Sequence, residues 1–146
     1  MNISLMQGPG NSGVRPKDEH VYLVAHDAIT AGTVYTLDVT TATDANNGIA
    51  TDSAAAVDGA AEGTIWVLAV EDIDSGATGR FMLQGFSAIT NDGTDLAAGA
   101  VLSSTATGVV VAAPAGDVII AITPEAETGT SSKCWFNGRG MGTRHA

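Results

Sequence analysis

The sequence predicts an all-β fold, a compact β-barrel or β-sandwich of about eight to ten short strands with extended N- and C-terminal arms. Short apolar runs rich in branched residues recur about every ten residues, and helical segments do not alternate with them. Four of these runs follow a small residue and a glycine, which can adopt the positive φ that a tight turn requires. These pairs are Ala31-Gly32, Ser75-Gly76, Ala98-Gly99 and Ala115-Gly116.

The predicted strands follow the apolar runs. They cover residues 20–25, 33–40, 64–70, 80–86, 101–105, 108–112, 118–123 and 133–137. The run at 64–70 is apolar on both faces, which predicts a central strand. Residues 41–63 are rich in turn residues and alanine, so we interpret them as a loop insertion with at most one short helix.

Two arms flank the predicted β domain at residues 20–137. Residues 1–19 contain a glycine- and proline-rich stretch that cannot continue a helix or a strand, and they form the predicted N-terminal arm. Residues 138–146 are rich in glycine and form the predicted C-terminal tail. The 146 residues are enough for one domain with a substantial core.

The net charge of −10 argues against binding to nucleic acid or to an anionic membrane surface. The body of the chain is acidic, whereas five of the six basic residues lie near the ends. These five are Arg15, Lys17, Lys133, Arg139 and Arg144. Either the ends contact an acidic partner, or the distribution reflects chance in a small sample. The start lacks a signal-peptide pattern, and no apolar run approaches the length of a transmembrane helix, so we expect a cytosolic origin.

No residue pattern predicts catalysis. The histidines and acidic clusters lack the spacing of a metal site, and neither a serine nucleophile elbow nor a phosphate loop is present. We therefore expect no catalytic residue, no cofactor and no metal site, and we expect that the chain is not an enzyme. The single cysteine, Cys134, lies in an apolar run and is predicted to be a buried, unreactive thiol.

Most of the aromatic residues fall within predicted strands, where core packing is their expected role. Trp66 and Trp135 have opposite parity to the apolar residues beside them, so one of the two indoles can face outward. Both are therefore candidates for a subunit interface.

Residues 64–138 resemble the small all-β capsid decoration, or cement, proteins of tailed bacteriophages. The shared pattern comprises the strand 67–70, the Ser75-Gly76 turn, a strand ending in Gly85-Phe86, and the later strands that begin near Gly99 and Gly116. The resemblance implies a homotrimer that binds the major capsid protein on the outside of a virion shell and stabilises it, after synthesis in the host cytoplasm. The candidate capsid contacts are Ile3, Leu5, Met6, Arg15, Lys17, Arg139 and Arg144. The alternative function is a receptor-binding or fibre/spike β module of a phage.

Overall fold

The computed structural model describes residues 18–25, 27–38, 50–52, 65–105 and 107–145. These residues form nine strands and confirm the all-β prediction. The strands are β1 (Glu19–Ala25), β2 (Val34–Asp38), β3 (Ala50–Asp52), β4 (Trp66–Ala69), β5 (Thr78–Thr90), β6 (Val101–Ser104), β7 (Val110–Ala112), β8 (Ala121–Ile122) and β9 (Ser131–Asn137). The described residues include no helix, and therefore none that could cross a membrane.

Five strands close into a ring, which we call the first ring. Its order is β1, β3, β2, β4 and β5, and β5 pairs back with β1. The pair between β1 and β3 is parallel, and the other pairs of the ring are antiparallel. The interpretation of residues 41–63 as a loop with at most one short helix is wrong at residues 50–52. These residues form β3, which pairs with β1 on one side and with β2 on the other. The remainder of that insertion lies outside the described residues.

The strand β5 continues past the first ring and begins a second one. Its second half pairs with β9, and the order continues through β8, β6 and β7. A parallel bridge between Asn91 and Val110 brings the end of β5 against β7. The sequence predicted a strand at 80–86, whereas β5 runs through thirteen residues and belongs to both rings.

The strand β5 bends sharply between its two halves. Phe81 pairs with Ala69, the Gly32 amide donates to the Ala69 carbonyl over 2.8 Å, and the Thr90 amide donates to the Gly32 carbonyl over 2.8 Å. In a straight strand, Phe81 and Thr90 would lie about 30 Å apart, which these contacts do not allow. Gly85 has a φ of 147°, a backbone conformation that favours glycine, and it lies between the two halves.

Two hydrophobic clusters fill the fold, and β4 contributes to both. Val67 and Ala69 pack in the smaller cluster with Phe81, whereas Trp66 and Leu68 pack in the larger cluster. All four residues of β4 are buried, which confirms the predicted central strand. The interface prediction is wrong for Trp66, because this indole is 2% exposed and is covered by its own chain.

The four glycines of the small residue-glycine pairs adopt the predicted conformation. The φ angles of Gly32, Gly76, Gly99 and Gly116 are 82°, 80°, 76° and 95°. Each glycine ends a turn that leads toward a paired segment. The turns that suggested the fold class are therefore present in the structure.

The C-terminal segment is extended, as predicted, but it lies along the domain. Val118 and Thr143 form an antiparallel bridge, and the Ile119 amide donates to the Gly142 carbonyl over 2.8 Å. The Arg144 amide donates to the Asp117 carbonyl over 2.9 Å. Residues 141–144 therefore add a paired edge to the β domain, which continues beyond the predicted boundary at residue 137.

Candidate functional site

Two aromatic side chains form an exposed pair on the outer surface where β5 bends. Phe86 of β5 and Trp135 of β9 lie directly opposite each other, with ring centroids 5.0 Å apart and an interplanar angle of 64°. Phe86 is 48% exposed and Trp135 is half-buried. We call Phe86 and Trp135 the aromatic corner.

The alternation of β9 explains why this indole faces outward. Cys134 and Phe136 are fully buried in the larger cluster, so Trp135 between them projects to the opposite face of the strand. On β5, Gly85 pairs with Phe136, and Phe86 follows on the outer face beside Trp135. Edge-to-face geometry is favourable for two aromatic rings, but here it leaves apolar surface in contact with solvent.

Both ends of the β domain meet beside the aromatic corner. Glu19 of β1 and Asn137 of β9 each pair with Gln84, the residue before Gly85. Asp18 lies against Gly85, where a side-chain Cβ would overlap the Asp18 carboxyl group. The described chain therefore begins at Asp18, which lies beside the residue that precedes Phe86.

An ion pair ties these two ends together. Arg139 donates from Nη1 to Glu19 Oε2 over 3.0 Å and from Nη2 to Glu19 Oε1 over 2.9 Å. The hydrogen bonds from Arg139 hold the pKa of the Glu19 carboxyl below its ordinary value, and the pKa of Arg139 is raised for the same reason. Arg139 is about half exposed, so its guanidinium group is both engaged by Glu19 and accessible to solvent.

The structure separates the two predicted basic contacts of the C-terminal segment. Arg139 lies beside β1, whereas the Arg144 side chain donates to the Ala113 carbonyl at the other end of the segment. The remaining candidate contacts, Ile3, Leu5, Met6, Arg15 and Lys17, lie outside the described residues.

The sequence does not identify Phe86 or Glu19 as candidate functional residues. Phe86 falls within an apolar run, where core packing was the expected role of most aromatic residues, and its exposure follows from the backbone at Gly85. Glu19 is the last residue of the predicted arm, one residue before the predicted strand, and its partner Arg139 is 120 positions away. The Gly85-Phe86 dipeptide was visible as a motif, and a glycine within a strand is a general signal for a bend or bulge.

The acidic turn near residue 72 has a structural role. The Asp72 carboxylate accepts a hydrogen bond from the Ala31 amide over 2.8 Å, and Glu71 accepts one from the Arg80 amide over 2.8 Å. These side chains therefore satisfy backbone donors of neighbouring turns and strands. Within the described ranges, no group of three or more His, Cys, Asp or Glu side chains could hold a metal ion.

The thiol of Cys134 is buried as predicted. Its side chain is inaccessible within the larger cluster, and burial raises the pKa of the thiol from 9.0 to about 12, with a smaller effect from Glu127. The thiolate, which is the reactive form, is therefore strongly disfavoured at neutral pH.

An open pocket of about 280 Å³ lies between the second half of β5 and the turn at Gly32. Small residues line it, including Ala69, Ser87, Ala88 and Thr90. Its walls carry no acid, base or thiol, so they offer hydroxyl and backbone groups but no titratable side chain.

The fold has a counterpart among solved structures. It is similar to the crystal structure of the head fiber gp8.5 N base in bacteriophage phi29, with a TM-score of 0.59 and 14% sequence identity. The likeness covers 86% of this chain and 99% of that chain. No protein-family model matches the sequence, and no curated protein matches it. At this level of identity, the comparison shows a shared fold.

Proposed function

We propose that this chain is a structural protein of a tailed-phage virion that binds the outside of the capsid and stabilises the shell as a decoration protein. The observation that carries the proposal is the fold likeness to a phage head fiber base, which extends over nearly the whole of that chain. The resemblance of residues 64–138 to capsid decoration proteins is an independent argument from sequence for the same class of virion protein.

The arrangement of the ends is suited to attachment. The first strand, β1, and the last strand, β9, both pair with Gln84. The ion pair between Arg139 and Glu19 links the ends of these two strands. The segment that carries Arg15 and Lys17 is joined through Asp18 to β1, whose first residue is held by these contacts. On an acidic protein, a short basic segment suits an acidic partner surface, and we propose the major capsid protein as that partner.

The proposed assembly on the shell is a homotrimer. Trp135 is the candidate that fits a subunit contact, because this indole is half-buried and forms part of an apolar surface. Weak contacts repeated over many copies on a shell add through multivalency, so each contact need not be strong.

Binding to undecorated expanded capsids tests the proposal. The purified chain should sediment with the shells in a saturable copy number and raise the temperature at which they rupture. Replacing both basic residues of the N-terminal segment, Arg15→Gln with Lys17→Gln, should weaken binding. The control is Lys133→Gln, which removes an exposed positive charge from β9. Failure to bind at a saturable copy number would contradict the proposal.

The second candidate is a fibre or spike module. The observation that favours it is that the similar structure is the base of a head fiber. A module of this kind should bind a receptor or a further fibre segment, and its removal should leave shell rupture unchanged. A glycan array and rupture measurements on shells with and without the chain separate the two functions.

A further inference from the structure

We propose that a second copy of this chain docks on the second half of β5, with Phe86 of one copy inserted into the pocket beside Gly32 and Ala88 of the next. The inference rests on the homotrimer in the proposed function, and it names the two surfaces that meet. Three observations carry it: an exposed aromatic ring, a pocket of suitable size, and the lack of acidic side chains on β5 and β9.

The aromatic corner continues across the sheet as an apolar row. Trp135 pairs with Ile122 of β8, and Ile122 pairs with Val101 of β6, so these side chains lie on the same outer face as Phe86. Phe86 is 48% exposed, and the other three are half-buried. The solvent face of an antiparallel sheet is ordinarily polar. A contiguous apolar row over four strands therefore indicates a surface that another molecule covers.

The pocket begins next to Phe86 and extends in the opposite direction from the apolar row. It reaches from Ser87 and Ala88 of β5 to Ala69 of β4 and to the turn at Gly32, whereas the row crosses β9, β8 and β6. Its volume is about 280 Å³. Since a cavity of about 150 Å³ can hold a benzene ring, the pocket has room for a phenylalanine side chain. Most of its lining residues are Gly, Ala, Ser or Thr, so a ring can enter without displacing a large side chain.

The distribution of charge favours contact along these two strands. The chain has a net charge of −10, so two copies repel each other as they approach. Neither β5 nor β9 contains an Asp or a Glu, and their charged residues, Arg80 and Lys133, are both basic. Copies that meet along β5 and β9 therefore bring no carboxylate of either strand close to another.

The ring and the pocket are different surfaces, so the contact between two copies is heterologous. Each copy offers one Phe86 ring and one pocket to its neighbours. Heterologous contacts repeated about a rotation axis close into a ring of subunits. Three equal contacts would occupy every ring and every pocket in the proposed homotrimer.

Sedimentation velocity over a series of concentrations, without shells, tests the inference. The native chain should form trimers as its concentration rises. Phe86→Ser removes the ring, and Ala88→Leu occupies the pocket from its own strand. Each substitution should lower the association constant by about tenfold or more. Both positions are exposed, so both variants should remain folded.

A mixture of the two variants identifies the contact. The Phe86→Ser chain keeps an open pocket, and the Ala88→Leu chain keeps its ring, so the mixture should contain a heterodimer that neither variant can replace alone. Native mass spectrometry detects this species. The matched controls, Tyr22→Ser on β1 and Ala112→Leu on β7, make similar changes at other exposed positions and should leave the association unchanged.

Three results would overturn the inference: a native chain that stays monomeric at every concentration, variants that associate as strongly as the native chain, or a mixture without the heterodimer. If a variant does not fold, the fluorescence of the native chain decides. Trp66 is 2% exposed, so a shift of the emission to the red on dilution reports Trp135 leaving a contact. An emission that does not shift overturns the inference.

Binding to shells is measured separately and distinguishes this inference from the proposed function. A chain that associates through Phe86 and Ala88 but does not bind shells supports the contact and contradicts the capsid function. A chain that binds shells, but whose association is unchanged by either substitution, does the reverse. A native dimer that depends on both positions supports the contact and contradicts the homotrimer.

Discussion

Arg139 binds Glu19 through two parallel hydrogen bonds although 120 residues separate them in the chain. The pair joins the beginning of β1 to the segment that follows β9. Both side chains are about half exposed, so the surrounding water weakens the attraction between the charges. We therefore expect this ion pair to order the two ends of the domain more than it stabilises the whole fold.

The substitution Glu19→Gln should lower the free energy of unfolding slightly near neutral pH. Because the pKa of Glu19 is lowered in the folded state, its contribution is present above the ordinary carboxyl pKa. The contribution is lost as the pH falls through the lowered value. Urea unfolding of the native chain and the variant should thus differ at neutral pH and converge in acid.

A double-mutant cycle with Arg139→Gln supplies the control for this pair. If the two substitutions act through the same contact, the double variant should lose less stability than the sum of the two single losses. A difference between Glu19→Gln and the native chain that does not change with pH would show that the loss comes from another contact.

The substitution Gly138→Ala should strongly destabilise the fold. Gly138 donates to the Leu83 carbonyl and accepts from the Trp66 amide, both over 2.8 Å, and a Cβ there would overlap the Trp66 carbonyl oxygen. The backbone itself would have to move, so we expect a loss of about 3 kcal/mol or more. Thermal and urea unfolding measure this loss.

Gly76→Ala is the matched control for Gly138→Ala. A Cβ at Gly76 meets no atom within 4 Å, but the φ of 80° remains unfavourable for alanine. The expected cost is about 1–2 kcal/mol from backbone strain alone. Equal losses in the two variants would contradict the overlap at Gly138.

The thiol of Cys134 should react with iodoacetamide in the unfolded chain and remain unmodified in the native chain at neutral pH. The side chain is buried and its pKa is raised to about 12, so both access and ionisation oppose the reaction. Mass spectrometry of samples labelled with and without urea measures the difference. Rapid labelling of the native protein would show that β9 opens locally.

The same thiol predicts a loss of stability in alkali. The unfolded thiol ionises near its ordinary pKa of 9.0, whereas the folded thiol stays protonated until about 12. The free energy of unfolding should therefore fall between these two pH values. Cys134→Ala should remove this part of the pH dependence, which unfolding curves across that range would reveal.

Truncation of a large side chain in either cluster should be costly. Phe81 and Phe136 are fully buried, the first in the smaller cluster and the second in the larger. Phe81→Ala and Phe136→Ala should each lower the free energy of unfolding by about 3–5 kcal/mol. Tyr22→Ala, which removes a ring that is 72% exposed, should have a much smaller effect.

The sequence predicted those features that have a local cause. A glycine that ends a turn needs a positive φ, so the four small residue-glycine pairs could be recognised before the structure. The strand β4 was predicted from a run of apolar residues, because a strand buried on both faces has no polar alternation.

Features without a local cause could not be predicted in this way. Residues 50–52 form β3 by backbone pairing with β1 and β2, and their sequence has no strand pattern of its own. The glycine-rich segment at 141–144 also pairs along the domain, because residues 116–119 provide a strand edge. The contact between Glu19 and Arg139 depends on the sheet order, which no spacing in the sequence reveals.

The pairing of Gln84 with both Glu19 and Asn137 determines how the domain carries a mechanical load. A force that pulls the residues before Glu19 away from those just after Asn137 acts on β1, β5 and β9, at the position where Glu19, Gln84 and Asn137 lie side by side. Its shortest load path passes through these three residues and the Glu19–Arg139 ion pair. Tension between the two ends would therefore be borne at this corner, while both hydrophobic clusters remain outside the line of force.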